Sequence, residues 1–184
     1  MSLVTDYNGT AQQFLHTLAN VFTQGLTYIG ATGGVSKVYP ATPFVCDTLI
    51  YGAGDVLTDT LEFDLATRVN DGTGWLTSIT LIDKTDQGVP LDIYILTSNV
   101  SLGAKNSLPS ITDTDAENVL AVVPVLSSDW KDLGGAKVAY LSKLAILIKA
   151  GTLSKKIWIS VVNGSGTPTF TASGLLIRPA ISQD

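Results

Sequence analysis

Two runs of alternating apolar residues, Trp75-Leu-Thr-Ser-Ile-Thr-Leu-Ile-Asp83 and Leu91-Asp-Ile-Tyr-Ile-Leu-Thr-Ser98, constrain the fold more than any other feature of the chain. In both, the odd-numbered positions form the more apolar set: Trp75, Ile79 and Leu81 in the first, Leu91, Ile93 and Ile95 in the second. A period of two is what a strand with one buried face requires. The linker Lys84-Thr-Asp-Gln-Gly-Val-Pro90 carries the Gly and Pro of a hairpin connection somewhat longer than the tightest turns.

Further strand-like runs lie on either side of them, at 48–51 and 55–65 before and at 119–126, 137–148, 156–163 and 170–180 after. Their β-branched and aromatic content favours strand over helix. Only 136–149, rich in Ala, Leu and Lys, also suits a helix, and strand is preferred there. Breakers punctuate the connections, among them Asn70-Asp-Gly-Thr-Gly74, Gly134-Gly135 and Gly164-Ser-Gly-Thr-Pro168. Thr112-Asp-Thr-Asp-Ala-Glu-Asn118 reads as a single helical turn. Seven or eight strands in this order predict an all-β fold, an antiparallel β-sandwich of jelly-roll-like type.

The N-terminal segment differs. Thr10-Ala-Gln-Gln13 fits a capping box. Phe14, Leu15, Leu18, Val21 and Phe22 then fall on one face of a helix, with Gly25 as its stop. A helix this short is marginal alone in water, so its apolar face must dock, either on its own sandwich or on a neighbouring subunit. These five residues are the candidate interaction residues. Between Gly25 and Pro43 the chain reads as an extended loop with room for one short strand. The predicted organisation is an N-terminal amphipathic helical arm and loop over residues 1–43 and a β-sandwich domain over 44–184.

Charge excludes several partners. Only 15% of residues are charged, against a usual quarter, and the net charge is −5. Phosphate binding needs clustered Lys and Arg, and Lys155-Lys156 is the only adjacent basic pair. No direct nucleic-acid ligand is therefore expected, and no membrane, since no run approaches the roughly 18 apolar residues of a span. The opening Met-Ser-Leu-Val-Thr-Asp lacks the basic and apolar regions of a secretory signal. Asn8-Gly-Thr10, Asn99-Val-Ser101 and Asn163-Gly-Ser165 match the glycosylation pattern but read as turn chemistry. A surface carrying Thr, Ser and Asn in place of charge suits an assembly subunit.

Catalytic chemistry finds little to use. His16 is the only histidine and Cys46 the only cysteine, so common zinc sites and a chain-internal disulfide are excluded. Cys46 reads as a small buried hydrophobe. Asp113, Asp115 and Glu117 have carboxylate spacing of calcium-loop type, but lack its Gly turn and distal Glu. They suit the positive end of a capped helical turn. Gly30-Ala-Thr-Gly-Gly34 is not followed by the Lys-Ser/Thr of a phosphate loop. Asp64 and Asp92 read as outward strand positions, and Trp75, Trp130 and Trp158 as core or interface anchors. No catalytic, cofactor or metal residues are assigned.

The ordered series Trp75–Asp83, Leu91–Leu96, Thr112-Asp-Thr-Asp-Ala-Glu117, Asp129-Trp-Lys-Asp-Leu-Gly134, Gly166-Thr-Pro-Thr-Phe170 and Gly174-Leu-Leu-Ile-Arg178, with the closing Gln183-Asp184, resembles virion structural proteins of tailed bacteriophages, of the head-decoration or minor-capsid kind. It covers residues 55–184, and residues 1–40 have no counterpart in it. The resemblance implies a non-enzymatic sandwich located in the virion, partnered by the major capsid protein or other virion subunits and often a symmetric homo-oligomer. Alternatives are a tail or head–tail joining subunit, and a carbohydrate- or receptor-binding module.

Overall fold

The computed structural model describes residues 35–184. The expected helical arm, with Phe14, Leu15, His16, Leu18, Val21 and Phe22, lies outside the described residues.

Ten strands build two antiparallel sheets, so the described residues are an all-β sandwich. The strands are β1 (Val35–Val38), β2 (Thr42–Pro43), β3 (Leu61–Phe63), β4 (Thr73–Asp83), β5 (Leu91–Leu96), β6 (Val119–Val125), β7 (Trp130–Asp132), β8 (Lys137–Lys149), β9 (Ile157–Asn163) and β10 (Leu175–Gln183). One short helix, α1 (Asp113–Ala116), precedes β6. The larger sheet runs β1-β10-β4-β8-β7, with β2 also on β10, and the smaller runs β3-β9-β5-β6. Because β3, β4 and β5 alternate between sheets, as do β8, β9 and β10, the connections interleave as in the double Greek key of a jelly roll.

The core lies between the sheets. Leu76, Ile79 and Leu81 of β4 meet Leu91, Ile93 and Ile95 of β5, all at most 1% exposed. Each such side chain contributes roughly 1.5–3 kcal/mol by leaving water. Tyr39 packs edge-on against Phe63 at 5.1 Å, closing one end of the core.

The two opening runs are both strands, but they do not form a hairpin. β4 pairs β10 and β8, while β5 pairs β6 and β9. The linker crosses from one sheet to the other, and Asp83 explains how. Its buried carboxylate accepts the backbone N–H groups of Thr85 (2.8 Å), Gln87 (2.7 Å) and Gly88 (2.9 Å). Folding three amides onto one side chain curls the linker before the strand ladder can extend into a turn.

The alternation in β4 also breaks. Its register against β8 jumps from Leu76↔Ile146 to Ser78↔Ser142, so Thr77 faces the three residues Lys143, Leu144 and Ala145. Against β10 the same Thr77 is skipped. This bulge moves the buried set from even to odd numbers along β4: Gly74 and Leu76 point inward, then Ile79, Leu81 and Asp83. Trp75 consequently faces out.

Elsewhere the strand ends shift. The 48–51 run is reduced to an isolated bridge at Ile50, and the expected start of the last strand moves from 170 to Leu175. The 137–148 run is strand and not helix. The larger sheet also takes in Val35–Val38 and Thr42–Pro43, N-terminal to the division drawn at residue 44, because β10 offers them an edge to pair with.

Candidate interaction surface

The two outer faces of the sandwich are treated differently by the chain itself. On the smaller sheet, the outward Leu96 of β5 and Val162 of β9 are buried under Leu102 and Val56, with Ile111 and Trp158 packed alongside. The segment between β5 and α1 thus lies over that face. No comparable cover lies over the larger sheet among the described residues.

Register fixes what the uncovered face presents, since directly paired residues point to the same side. One row reads Ser182–Trp75–Leu147 across β10, β4 and β8. A second reads Val38–Ala180–Ser78–Ser142 from β1 to β8, and a third Arg178–Thr80–Tyr140. Trp75 is 41% exposed, Leu147 53%, Tyr140 63% and Val38 67%. Hydroxyl groups of Thr77, Ser78, Thr80, Ser142 and Ser182 fill the spaces between them, and Thr77 Oγ1 donates to the Ala180 carbonyl at 3.0 Å.

The bulge shapes the middle of the face. Lys143 (φ 59°) and Ala145 (φ 48°) both hold left-handed backbone, which costs an L-residue roughly 1–2 kcal/mol. With Trp75, Thr77 and Ser182 they line a shallow recess of about 340 Å³. β7 covers only the Lys137–Ala139 end of the adjacent edge, so from Tyr140 to Lys149 the outer edge of β8 has no strand partner among the described residues. The αL residues and Lys143 on that edge discourage indiscriminate strand pairing.

A second recess, of about 410 Å³, lies where β8 ends, between Asp71, Ser98, Asn118 and Lys149. Its polar groups are engaged with one another: Asn118 Oδ1 accepts from Thr97 Oγ1 (3.1 Å) and Ser98 Oγ (2.7 Å).

The remaining sequence candidates fall where their chemistry places them. Cys46 is buried, and burial pushes its thiol up to about 12, which removes it as a nucleophile near neutral pH. Asp113 and Asp115 sit in the first turn of α1, where Thr112 Oγ1 accepts the Asp115 N–H at 3.1 Å. Among the described residues no three His, Cys, Asp or Glu side chains gather as a metal site. Asn163 is fully buried, its amide donating to Gly52 O (2.7 Å) and Gly166 O (3.0 Å), which commits it to turn chemistry. Trp130 is buried, its Nε1 donating to Val89 O at 2.9 Å, and Trp158 is half-buried. Trp75 is not a core anchor, because the bulge turns it outward. The spacing of Leu76 to Ile79, three residues and not two, is the one sequence signal of that reversal.

No protein-family model matches the chain, and no curated protein does. Solved structures similar to it include the Tobacco streak virus coat protein, at 10% identity over 82% of this chain and 87% of that one, with a TM-score of 0.34. The Turnip yellow mosaic virus structure is similar at 14% identity over 81% and 92%, TM-score 0.28. Dimeric latent PorU from Porphyromonas gingivalis is similar at 11% identity over 83% of this chain and 13% of that chain, TM-score 0.35. At TM-scores this low none of them bears on function.

Proposed function

We propose that the chain is a non-enzymatic bacteriophage structural protein that binds and stabilises an assembled capsid, as a decoration or cement protein. The observation that carries this reading is the contrast between the two outer faces. The β5–β9 part of the smaller sheet is covered by the chain's own loop, while the larger sheet presents Trp75, Tyr140, Leu147 and Val38 on one open face. Large apolar and aromatic side chains exposed together among hydroxyls on one open sheet face suit an interaction site. The resemblance over residues 55–184 supplies the virion setting. Repetition over a lattice converts modest affinity per site into firm attachment. The partners are the major capsid protein or other virion subunits, and Phe14, Leu15, Leu18, Val21 and Phe22 form an additional interaction arm. Co-sedimentation with purified heads of the parent particle tests this. Binding that Trp75→Ala and Tyr140→Ala weaken supports it, and a chain that stays in the supernatant refutes it. Finding the chain in separated tails would favour a tail or joining subunit.

A second reading has one observation in its favour. Trp75 borders a recess with the hydroxyls of Thr77 and Ser182 beside it, a pairing suited to sugar stacking. Quenching or shifting of Trp75 fluorescence by an oligosaccharide panel would favour a carbohydrate-binding module.

A further inference from the structure

The recess beside Trp75 has a cation in its wall and no acid. Lys143 lines it together with Trp75, Thr77, Ala145 and Ser182. β1, β10, β4 and β8 carry one carboxylate between them, Asp83, and it is buried. Asp184, just past β10, accepts from Thr73 Oγ1 at 3.0 Å and does not line the recess. The ion pairs of the described residues use Lys105, Lys137 and Lys156, so Lys143 and the exposed Arg178 of β10 have no part in them.

The bulge makes this arrangement. Three residues of β8, from Lys143 to Ala145, stand opposite the single Thr77 of β4, and the excess chain forms one wall of the recess. Tyr140 pairs with Thr80, five residues on from Trp75, which places it roughly 16 Å from Trp75 along the strand direction. Ser78 and Ser142 pair with each other between the two aromatic residues, and Arg178 joins Thr80 at the Tyr140 end. Aromatic side chains thus stand at both ends of a stretch of hydroxyls, with one cation near each.

We propose that this face binds an acidic oligosaccharide, a carboxylated sugar seated in the recess against Trp75 with its carboxylate at Lys143, and the following sugars running toward Tyr140 and Arg178. This rests on the carbohydrate reading above and adds the class of sugar. A sugar ring offers what the recess takes: an apolar C–H face for a half-exposed indole, and hydroxyls to exchange for the water on Thr77 and Ser182. The charge selects among sugars, since a carboxylate gains a charge-assisted hydrogen bond at Lys143 and meets no competing acid there. Nucleic acid suits the face less well, because two cations neutralise few phosphates in a chain of net charge −5.

Titration calorimetry on the full chain tests this with two pairs of probes: trigalacturonate against its methyl ester, and sialyllactose against lactose. The first pair keeps rings and hydroxyls and differs only in charge. Each acid should bind at least about threefold tighter than its neutral counterpart, by a margin that closes at high salt. Trp75→Ala should remove binding of acid and ester alike. Lys143→Gln should remove the margin and leave ester binding intact. Arg178→Gln should weaken only trigalacturonate, whose carboxylates recur along the chain, and Lys84→Gln, in the β4–β5 linker, should change nothing. Melting temperatures confirm that the variants fold. Equal binding of acids and neutral counterparts overturns the acidic class and leaves the carbohydrate reading standing. Binding of none of the four probes overturns both, while co-sedimentation with heads decides the capsid reading separately. A margin that survives Lys143→Gln also overturns the proposal. So does a single-stranded oligonucleotide that binds tighter than every saccharide and is lost in Lys143→Gln, which would assign the face to nucleic acid.

Discussion

The Asp83 carboxylate and the Gly88 amide lie 2.9 Å apart, across a linker that carries the chain from one sheet to the other. Asp83 is 1% exposed and ends β4, while Gly88 has φ +59°, a conformation that an L side chain adopts only with strain. Lys137 completes the arrangement by donating to the Asp86 carbonyl at 2.9 Å. A buried acid at a strand end thus determines which sheet the next strand joins.

Asp83→Ala strands three backbone donors and should lower unfolding free energy by roughly 2–4 kcal/mol. Asp83→Asn, which keeps one carbonyl oxygen, should lose less. Urea midpoints with unchanged m-values would verify the order, and an alanine variant as stable as the native chain would contradict it.

Trp75→Ala removes a half-exposed ring from an outer face and should cost below about 1 kcal/mol. Acrylamide should quench the native emission in an accessible and a protected component. Trp75→Phe is expected to remove most of the accessible part, leaving the buried Trp130 and the half-buried Trp158. Equal quenching in both proteins would return Trp75 to the core.

Ala145→Gly relieves a left-handed alanine and should raise stability by up to about 1 kcal/mol. Ala139→Gly, in ordinary strand conformation in the same β8, should do the reverse. Thermal melts of the pair give the comparison directly.

Alkali should weaken the fold through Cys46. Its thiol is raised from 9.0 to about 12 by burial, so above pH 9 the unfolded chain releases a proton that the folded chain keeps. Stability from this group is therefore full below pH 9 and declines as pH rises from 9 toward 12. Tyr51, raised from 10.0 to about 12 by burial, adds the same sign starting about one pH unit higher. Cys46→Val should flatten the first part of the decline in urea midpoints taken from pH 8 to 11. A thiol reagent at pH 8 should react only on unfolding.

The strands and their inward faces were largely legible, because burial imposes a period of two on residues such as Leu91, Ile93 and Ile95. The capped turn at Thr112 was legible for a local reason, the hydroxyl three residues before an amide donor. Two things were not. The bulge at Thr77 depends on the register of β8 and β10, set by residues about 70 and 100 positions away. The crossover after Asp83 uses Gly and Pro as a hairpin would, and only the burial of the carboxylate separates the two outcomes. The candidate surface was hidden for the same reason, since Trp75 joins Leu147 only once that register is set.

The partnership of β10 with β1, β2 and β4 has a consequence for the order of events as the chain emerges during synthesis. β4 is made about a hundred residues before β10, and β3 about as far ahead of β9. Contacts this distant in sequence close late and slowly. Until the final strands arrive, Leu76, Ile79 and Leu81 have no complete sheet to hold them, and the nascent chain is at its most aggregation-prone. A cell producing this protein in quantity must keep that half-built sandwich soluble, and a nonsense codon anywhere before residue 175 should yield an insoluble product, not a shortened functional one.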